Sequence, residues 1–246
     1  MREILADLVA EQQSLDQMLQ RIPDRDWRKK TPAKPWTVID TISHLAAWEE
    51  LTRRVLAGDA SAIEEAKAHG DIDAFNAAGV AETRGKRPQE IVEVWRHRRA
   101  AVVDALSRMR ATDRVPWFVS DLSVRTLATS RLAETWAHGL DVQVTLDKHA
   151  EDTARLRHVA WLGWVTLPWA FEEAGEDYPE PIRVELVGPG YARWVFGPEG
   201  SGQVVRGSAG DWCRVVVRRM DAPDAENLTA TGDIAATALR VARAYL

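Results

Sequence analysis

The sequence contains a single cysteine, Cys213, among its 246 residues. One cysteine cannot form an intrachain disulfide, which excludes a small secreted domain held together by disulfides. The first residues mix apolar and acidic side chains and lack the basic and then apolar pattern of a signal peptide. We therefore expect a cytoplasmic protein. The apolar neighbours of Cys213 predict a buried thiol rather than a nucleophile.

The sequence also has no excess of basic residues. The formal net charge is −5 at pH 7 and the pI is about 5.7, which argues against general binding to nucleic acid or to an anionic membrane. The longest apolar stretch, residues 159–171, is shorter than the roughly 20 residues needed to cross a bilayer. We therefore expect small molecules as partners, with the chain acting as a monomer or a homodimer.

Four stretches of helical periodicity fill the first part of the chain. They cover residues 4–22, 37–56, 89–109 and 123–146. Thr37 and Asp40 have the spacing of a capping box, and Pro88 suits the first turn of the third helix. Four helices of this length predict an up-and-down bundle. The alanine- and glycine-containing segment 60–84 is predicted to be a short helix and a mobile loop.

The pattern changes near residue 150. One further helix is predicted to end near Ala174, and three alternating segments then predict a small antiparallel sheet. These segments are residues 182–187, 192–196 and 203–206. Residues 208–219 suit either a strand rich in β-branched residues or a helix capped by Ser208. Residues 233–246 are predicted to form a final amphipathic helix.

The two parts together predict an α+β protein with two domains. The four-helix bundle occupies residues 1–150, and a smaller α+β domain occupies residues 151–246. The hydrophobic fraction of 46% is sufficient for a proper core.

The strongest functional signal is a divided set of potential metal ligands. Glu134, His138 and Asp141 stand at positions i, i+4 and i+7, so all three project from one face of the fourth helix. His44 lies on the second helix, and both helices are otherwise strongly apolar. Polar groups on apolar helices need partners, and a shared divalent metal would satisfy them together. Three protein ligands are typical of a catalytic metal that keeps a position for water or substrate.

Two alternatives remain open for these residues. A Glu-x-x-x-His pair on a helix is commonly solvated and binds nothing. A metal saturated by protein groups, with Asp141 as a fourth ligand, would indicate a structural role instead. The sequence contains no P-loop, no Rossmann glycine pattern, no Cys-x-x-Cys pair and no Gly-x-Ser-x-Gly motif.

The same residues resemble the motifs of a known family. The segments are Trp36-Thr-Val-x-Asp-x-x-x-His44-Leu-Ala-x-Trp-Glu and Glu134-x-x-x-His138-x-x-Asp141-Val. They are similar to those of the DinB-like, mycothiol-dependent maleylpyruvate isomerase family. The end of the chain is similar as well, with Gly207-Ser-Ala-x-Asp, Arg219 and Leu228-Thr-Ala-Thr-Gly-Asp. This resemblance covers nearly the whole chain. It implies a DinB-like bundle followed by a C-terminal α+β domain in which residues 208–219 are helical.

By this resemblance, His44, Glu134 and His138 bind a divalent metal, most often zinc, and Asp141 orients a ligand imidazole. Family members use the metal to bind and deprotonate the thiol of mycothiol, a low-molecular-weight thiol of actinobacteria. The resemblance therefore implies an isomerase or S-transferase in which a metal-bound thiolate attacks a small electrophile. A non-catalytic metal- or small-molecule-binding protein, and a metal-dependent hydrolase without a thiol, are the alternatives.

Further residues are candidates for contacts with the cofactor or substrate. Trp48, one turn from His44, is predicted to line the cofactor cavity together with Asp141. Arg219 is a candidate for binding a substrate carboxylate because a guanidinium suits that group, with a solvated arginine as the alternative. The family arginine usually follows a glycine, whereas Arg218 precedes Arg219 here.

Overall fold

Capping residues set where the two helices that carry the candidate ligands begin. The computed structural model describes residues 1–149 and 151–244. The Thr37 hydroxyl accepts a hydrogen bond from the Asp40 amide, and the Asp40 carboxylate accepts one from the Thr37 amide. The Ser123 hydroxyl likewise accepts from the Thr126 amide. The predicted capping box is therefore confirmed.

The unit Met1–Ala150 is built around four long helices. Its described helices are α1 (Arg2–Leu19), α2 (Val38–Leu56), α3 (Ala62–Lys67), α4 (Ile72–Glu82), α5 (Pro88–Ser107) and α6 (Val124–Thr145). Helices α1 and α2 each pack against α5 and α6, which makes the predicted four-helix bundle. Strands β1 (Arg114–Val115) and β2 (Leu122–Ser123) pair in the connection before α6. Within the described ranges, no helix has both the length and the apolar character needed to cross a membrane.

The segment 60–84 contains the predicted short helix, α3, but the mobile loop predicted beside it is wrong, because α4 occupies residues 72–82. Asp71 caps α4 by accepting a hydrogen bond from the Ala74 amide at 2.7 Å. Gly79 lies inside α4, where a Cβ would come within 2.6 Å of the Ala47 Cβ on α2. The sequence pattern predicts that this glycine interrupts the helix. In the structure it stays within the helix and permits α4 to pack closely on α2.

The unit Glu151–Leu246 combines helices with one sheet. Its elements are α7 (Leu156–Val165), α8 (Leu167–Ala174), β3 (Arg183–Val187), β4 (Arg193–Phe196), β5 (Val204–Ser208), α9 (Ala209–Val216), β6 (Leu228–Thr231) and α10 (Asp233–Val241). Helix α9 confirms the helical alternative for residues 208–219, with Ser208 as its cap. The buried Cys213 lies on this helix, as predicted, and burial raises the pKa of its thiol.

Two predicted helices differ from the structure in extent. The single helix expected up to Ala174 is divided at Thr166, because Pro168 has no N–H to continue the hydrogen-bond ladder. The last helix ends at Val241 instead of continuing to the end of the chain, and residues 245–246 lie outside the described residues.

The sheet has the order β4-β3-β5-β6, and it is mixed. Strands β3 and β4 pair antiparallel, as do β5 and β6, but β3 and β5 are parallel with Val184 opposite Val205. The prediction of an all-antiparallel sheet is therefore wrong for the central pair. Residues 197–203 carry the chain from β4 to the other side of β3. Alternating apolar residues predict a strand but do not specify its neighbour.

Helix α9 ends in a Schellman motif with arginine at the position that glycine usually occupies. The amide of Arg219 donates to the carbonyl of Arg214 at 2.8 Å, and the amide of Arg218 donates to that of Val215 at 2.9 Å. Arg218 has a φ of 57°, in the left-handed region that side chains disfavour. The resemblance noted above places the family glycine at this residue.

We expect Arg218→Gly to stabilise the protein by about 1 kcal/mol, because glycine adopts the left-handed conformation without a Cβ penalty. Chemical denaturation of the full chain would measure the change. Arg218→Ala is the matched control, since it removes the same side chain but keeps the Cβ. Equal stability of the glycine and alanine variants would show that the backbone at this position carries no such cost.

Candidate metal centre

The bundle brings the three predicted ligands together from two helices. His44 of α2 and His138 of α6 each direct Nε2 towards the same carboxylate oxygen, Glu134 Oε2, at 3.3 and 3.6 Å. One potential ligand atom from each residue lies within 4.8 Å of the other two. All three residues are buried, with exposed fractions of 4%, 8% and 4% for His44, Glu134 and His138.

The protonation states of two of these residues suit metal binding. Burial is the main reason that the pKa of His44 falls to about 4, so its imidazole is neutral at pH 7. Burial alone raises the pKa of Glu134. The contact with His44 and the charges of His138, His44 and Arg131 outweigh it and bring that pKa to about 2. A neutral imidazole and an ionised carboxylate are the forms that coordinate a metal.

Asp141 lies behind His138. Its Oδ2 is 2.9 Å from His138 Nδ1, while the opposite ring nitrogen, Nε2, faces Glu134. A carboxylate in this position accepts a hydrogen bond from Nδ1–H, which keeps the proton on Nδ1 and the lone pair on Nε2. Asp141 is therefore positioned to orient the His138 ring.

The chemistry of this donor set fits a divalent cation. Two imidazole nitrogens and one carboxylate oxygen converge, and His2Glu is a ligand set of catalytic zinc sites that keep a position for water or substrate. Each of the three groups is buried, where polar contacts are needed to offset the loss of water. One bound ion would add such a contact to all three at once.

Two tryptophans lie next to the histidines. The ring centroid of Trp36 is 4.5 Å from that of His44 and 5.7 Å from that of His138. Trp48, which the sequence singled out, has its ring 6.2 Å from His44. Trp36 opens the family motif, but the sequence pattern alone assigns it no role. Its position directly before the helix cap Thr37 is the signal that places it near the start of the helix carrying His44.

A wider group of aromatic side chains surrounds Trp48. Its ring centroid lies 5.2 Å from Phe75 on α4, and 6.0 and 5.6 Å from Trp117 and Phe118 in the connection between α5 and α6. The indole N–H of Trp48 donates to the Asn76 side chain at 2.8 Å. The segments flanking the bundle thus build an apolar environment beside the ligands. Sequence periodicity did not associate these segments with the site.

Arg219 lies in the second unit, just beyond α9, and is half-buried. Its guanidinium Nη1 donates to the Val217 carbonyl at 2.8 Å. The binding of a substrate carboxylate by Arg219 stays a prediction.

Most of the helical bundle matches a known family. A family model described as the mycothiol maleylpyruvate isomerase N-terminal domain matches residues 8–143. The chain belongs to this family. Uncharacterized proteins from two strains of Mycobacterium tuberculosis are 34% identical to it over 247 residues, covering 98% of this chain and 94% of theirs.

Solved structures of the mycothiol-dependent maleylpyruvate isomerase are similar to this chain in fold. One matches with a TM-score of 0.62 at 17% identity, covering 93% of this chain and 92% of that one. A mutant form matches with a TM-score of 0.61 at 16% identity and the same coverage. At this level of identity the likeness concerns the fold alone. It agrees with the α+β architecture predicted for this chain.

The depressed pKa of His44 predicts acid sensitivity of the metal-free protein. An unfolded chain protonates this histidine near pH 6.5 and the folded chain near pH 4, so the unfolded state binds more protons between these values. We expect stability to fall as the pH is lowered through this window, by about 3 kcal/mol in total. Urea denaturation in the presence of a chelator would measure it.

The matched variants for this measurement are His44→Gln and His69→Gln. Removal of His44 is expected to flatten the dependence between pH 6.5 and pH 4, because the titrating group is gone. Removal of the exposed His69 is expected to leave it unchanged. A dependence that persists in His44→Gln would assign it to another group.

The position of Asp141 predicts its effect on metal affinity. We expect Asp141→Ala to weaken zinc binding by about 10–100-fold, because the His138 ring loses the acceptor that orients it. Asp141→Asn keeps an acceptor without the charge and should lose less. Competition with a zinc-binding dye would measure both. Asp147→Asn, an exposed change just beyond the end of α6, is the control, and equal affinities in all four proteins would contradict the role of Asp141.

Proposed function

We propose that this protein is a divalent-metal-dependent enzyme of the mycothiol-dependent isomerase type that acts on a small electrophile. The observation that carries the proposal is the convergence of His44 Nε2, Glu134 Oε2 and His138 Nε2 inside the bundle, with Asp141 behind one imidazole. The family to which the chain belongs supports the use of a thiol, since the family is named after mycothiol.

His44, Glu134 and His138 are the residues that would hold the metal, and zinc fits their nitrogen and oxygen donors. A divalent cation bound there would lower the pKa of a thiol and so make a thiolate available at neutral pH. Asp141 keeps the His138 ring in the tautomer that leaves Nε2 free. Burial keeps His44 neutral at the same pH.

The thiolate chemistry follows from these states. The thiolate sulfur would form a bond to an electron-poor carbon conjugated to a carbonyl, and the electron pair of the carbon–carbon double bond would move to the carbonyl oxygen as an enolate, which leaves a single bond. Rotation about that bond, return of the electron pair and breakage of the carbon–sulfur bond would release the thiolate and give an isomer of the substrate. An S-transferase would keep the new carbon–sulfur bond. We propose the isomerase outcome, in line with the family.

Trp36 and Trp48 limit the access of water beside the ligands. Exclusion of water protects a reactive thiolate adduct from side reactions and strengthens the electrostatic interactions of the site. Arg219 is proposed to bind a substrate carboxylate, because its planar guanidinium matches two carboxylate oxygens. We also propose a cytoplasmic monomer or homodimer with small-molecule partners, in keeping with the acidic pI of about 5.7.

The proposal predicts one divalent ion per chain and a thiol response. Metal content by mass spectrometry should give one ion per wild-type chain and none in His138→Ala. Addition of mycothiol to the cobalt-substituted protein should produce a sulfur-to-cobalt charge-transfer band. The loss of His138 should remove both the bound metal and the charge-transfer band, because three donors are the minimum for this site.

Each other outcome points elsewhere. Metal without a thiol response would replace the thiol chemistry by hydrolysis or by a non-catalytic role. Metal retained by His138→Ala would contradict the assigned ligands. The substitution Arg219→Met should leave metal and thiol binding intact and raise the KM for a carboxylate substrate, and an unchanged KM would remove Arg219 from the site.

A further inference from the structure

A buried ion pair crosses the same two helices that carry the metal ligands. Glu49 of α2 is completely buried and Arg131 of α6 is 2% exposed. Arg131 Nε lies 3.7 Å from Glu49 Oε1, which is close enough for charge attraction but too far for a hydrogen bond. Two charges held in the protein interior need further hydrogen bonds to be tolerated.

The protein groups do not supply those hydrogen bonds. Both carboxylate oxygens of Glu49, the Nε and Nη2 atoms of Arg131 and the Oγ1 atom of Thr52 are buried without a hydrogen-bond partner in the described part of the chain. Thr52 lies one turn beyond Glu49 on α2, and it is also fully buried. The site therefore combines unsatisfied acceptors with unsatisfied donors.

Water is the ligand that matches this combination. A water molecule accepts from the Arg131 guanidinium and donates to the Glu49 carboxylate, and buried waters typically make about three such hydrogen bonds. An anion would be repelled by Glu49, and a cation by Arg131. Burial is the main cause that raises the pKa of Glu49, and the negative charge of Glu134 raises it further. The positive charges of Arg131 and Arg99 oppose this shift.

The ion pair lies one turn from the candidate metal centre. On α6, Arg131 precedes Glu134 by three residues, so both project from the same face. On α2, Glu49 follows His44 by five residues, roughly 7 Å along the axis. The guanidinium of Arg131 also lies 5.8 Å from the ring of Trp48, which contacts His44.

We propose that Glu49, Thr52 and Arg131 form a buried hydration site, and that this hydrated ion pair sets the spacing of α2 and α6 at the metal centre. These three are positioning residues, because they act on the ligands through the two helices. The inference rests on the proposed metal site but not on the thiol chemistry.

A crystal structure of the full chain at high resolution tests the hydration. We expect at least one ordered water within hydrogen-bond distance of both the Glu49 carboxylate and the Arg131 guanidinium. A dry pair in which the guanidinium donates directly to both carboxylate oxygens would overturn this part of the inference.

Zinc affinity and the spectrum of the cobalt-substituted protein test the positioning. The double variant Glu49→Leu with Arg131→Met replaces both charges by apolar groups, which buried sites tolerate better than the loss of one charge. We expect its zinc affinity to fall about 10–100-fold, as for other residues that support metal ligands, with an altered cobalt spectrum. Wild-type affinity together with a wild-type spectrum would overturn the inference.

A control ion pair is available in the second unit, outside α2 and α6. Arg214 donates two hydrogen bonds to Asp152, at 3.0 and 2.8 Å. The double variant Asp152→Leu with Arg214→Met should leave zinc binding unchanged, and an equal loss there would assign the effect to general destabilisation. If the apolar double variant at positions 49 and 131 does not fold, the double variant Glu49→Gln with Arg131→Gln, which removes both charges but keeps polar groups, decides with the same expected and contradicting results.

The outcomes separate this inference from the proposed function. Zinc binding without a mycothiol response would remove the thiol chemistry but leave the positioning role intact. Conversely, a mycothiol response with unchanged zinc binding in the variants would remove the positioning role alone. A wild-type protein that binds no zinc would overturn both, apart from the water positions.

Discussion

The pairing of α2 with α6 is the constraint on which the site depends. His44 reaches the carboxylate of Glu134 only because these two helices pack against each other, although 90 residues separate the two side chains in sequence. The chain between them contributes α5, which packs on both α1 and α2 and so holds α2 in the bundle. Apolar burial along these faces provides the driving force, and the ligands are positioned by it. The polar centre is thus a consequence of the hydrophobic core around it.

Much of this arrangement was predictable because it is local. The capping residues Thr37 and Asp40 fix the start of α2 through contacts within four residues, and the i, i+4 and i+7 spacing of Glu134, His138 and Asp141 follows from helix geometry alone. That His44 belongs with them does not follow from local spacing. Two other arguments predict it: polar groups on both apolar helices need partners, and the motifs resemble those of the family. The packing partner of an amphipathic helix cannot be read from its own periodicity.

The remaining features depend on contacts between distant segments. Gly79 reads as an interruption of a helix, but it serves the close packing of α4 on α2. The parallel pairing of β3 with β5 depends on a crossing that strand patterns do not encode. Trp36, Glu49 and Arg131 lie inside or beside the family motifs, yet the contacts of Trp36 with His44 and of Arg131 with Glu49 follow only from the placement of the segments side by side.

Helix α6 is buried at every position from Leu127 to Val142. Such a helix has no solvent-facing side on which substitutions are neutral, so nearly every change along it alters packing as well as chemistry. The rings contributed by α4 and by the connection between α5 and α6 are only half-buried, so substitutions there disturb the packing of the bundle less. The surroundings of Trp48 can therefore be changed in shape with less cost to stability than the helix that carries Glu134 and His138.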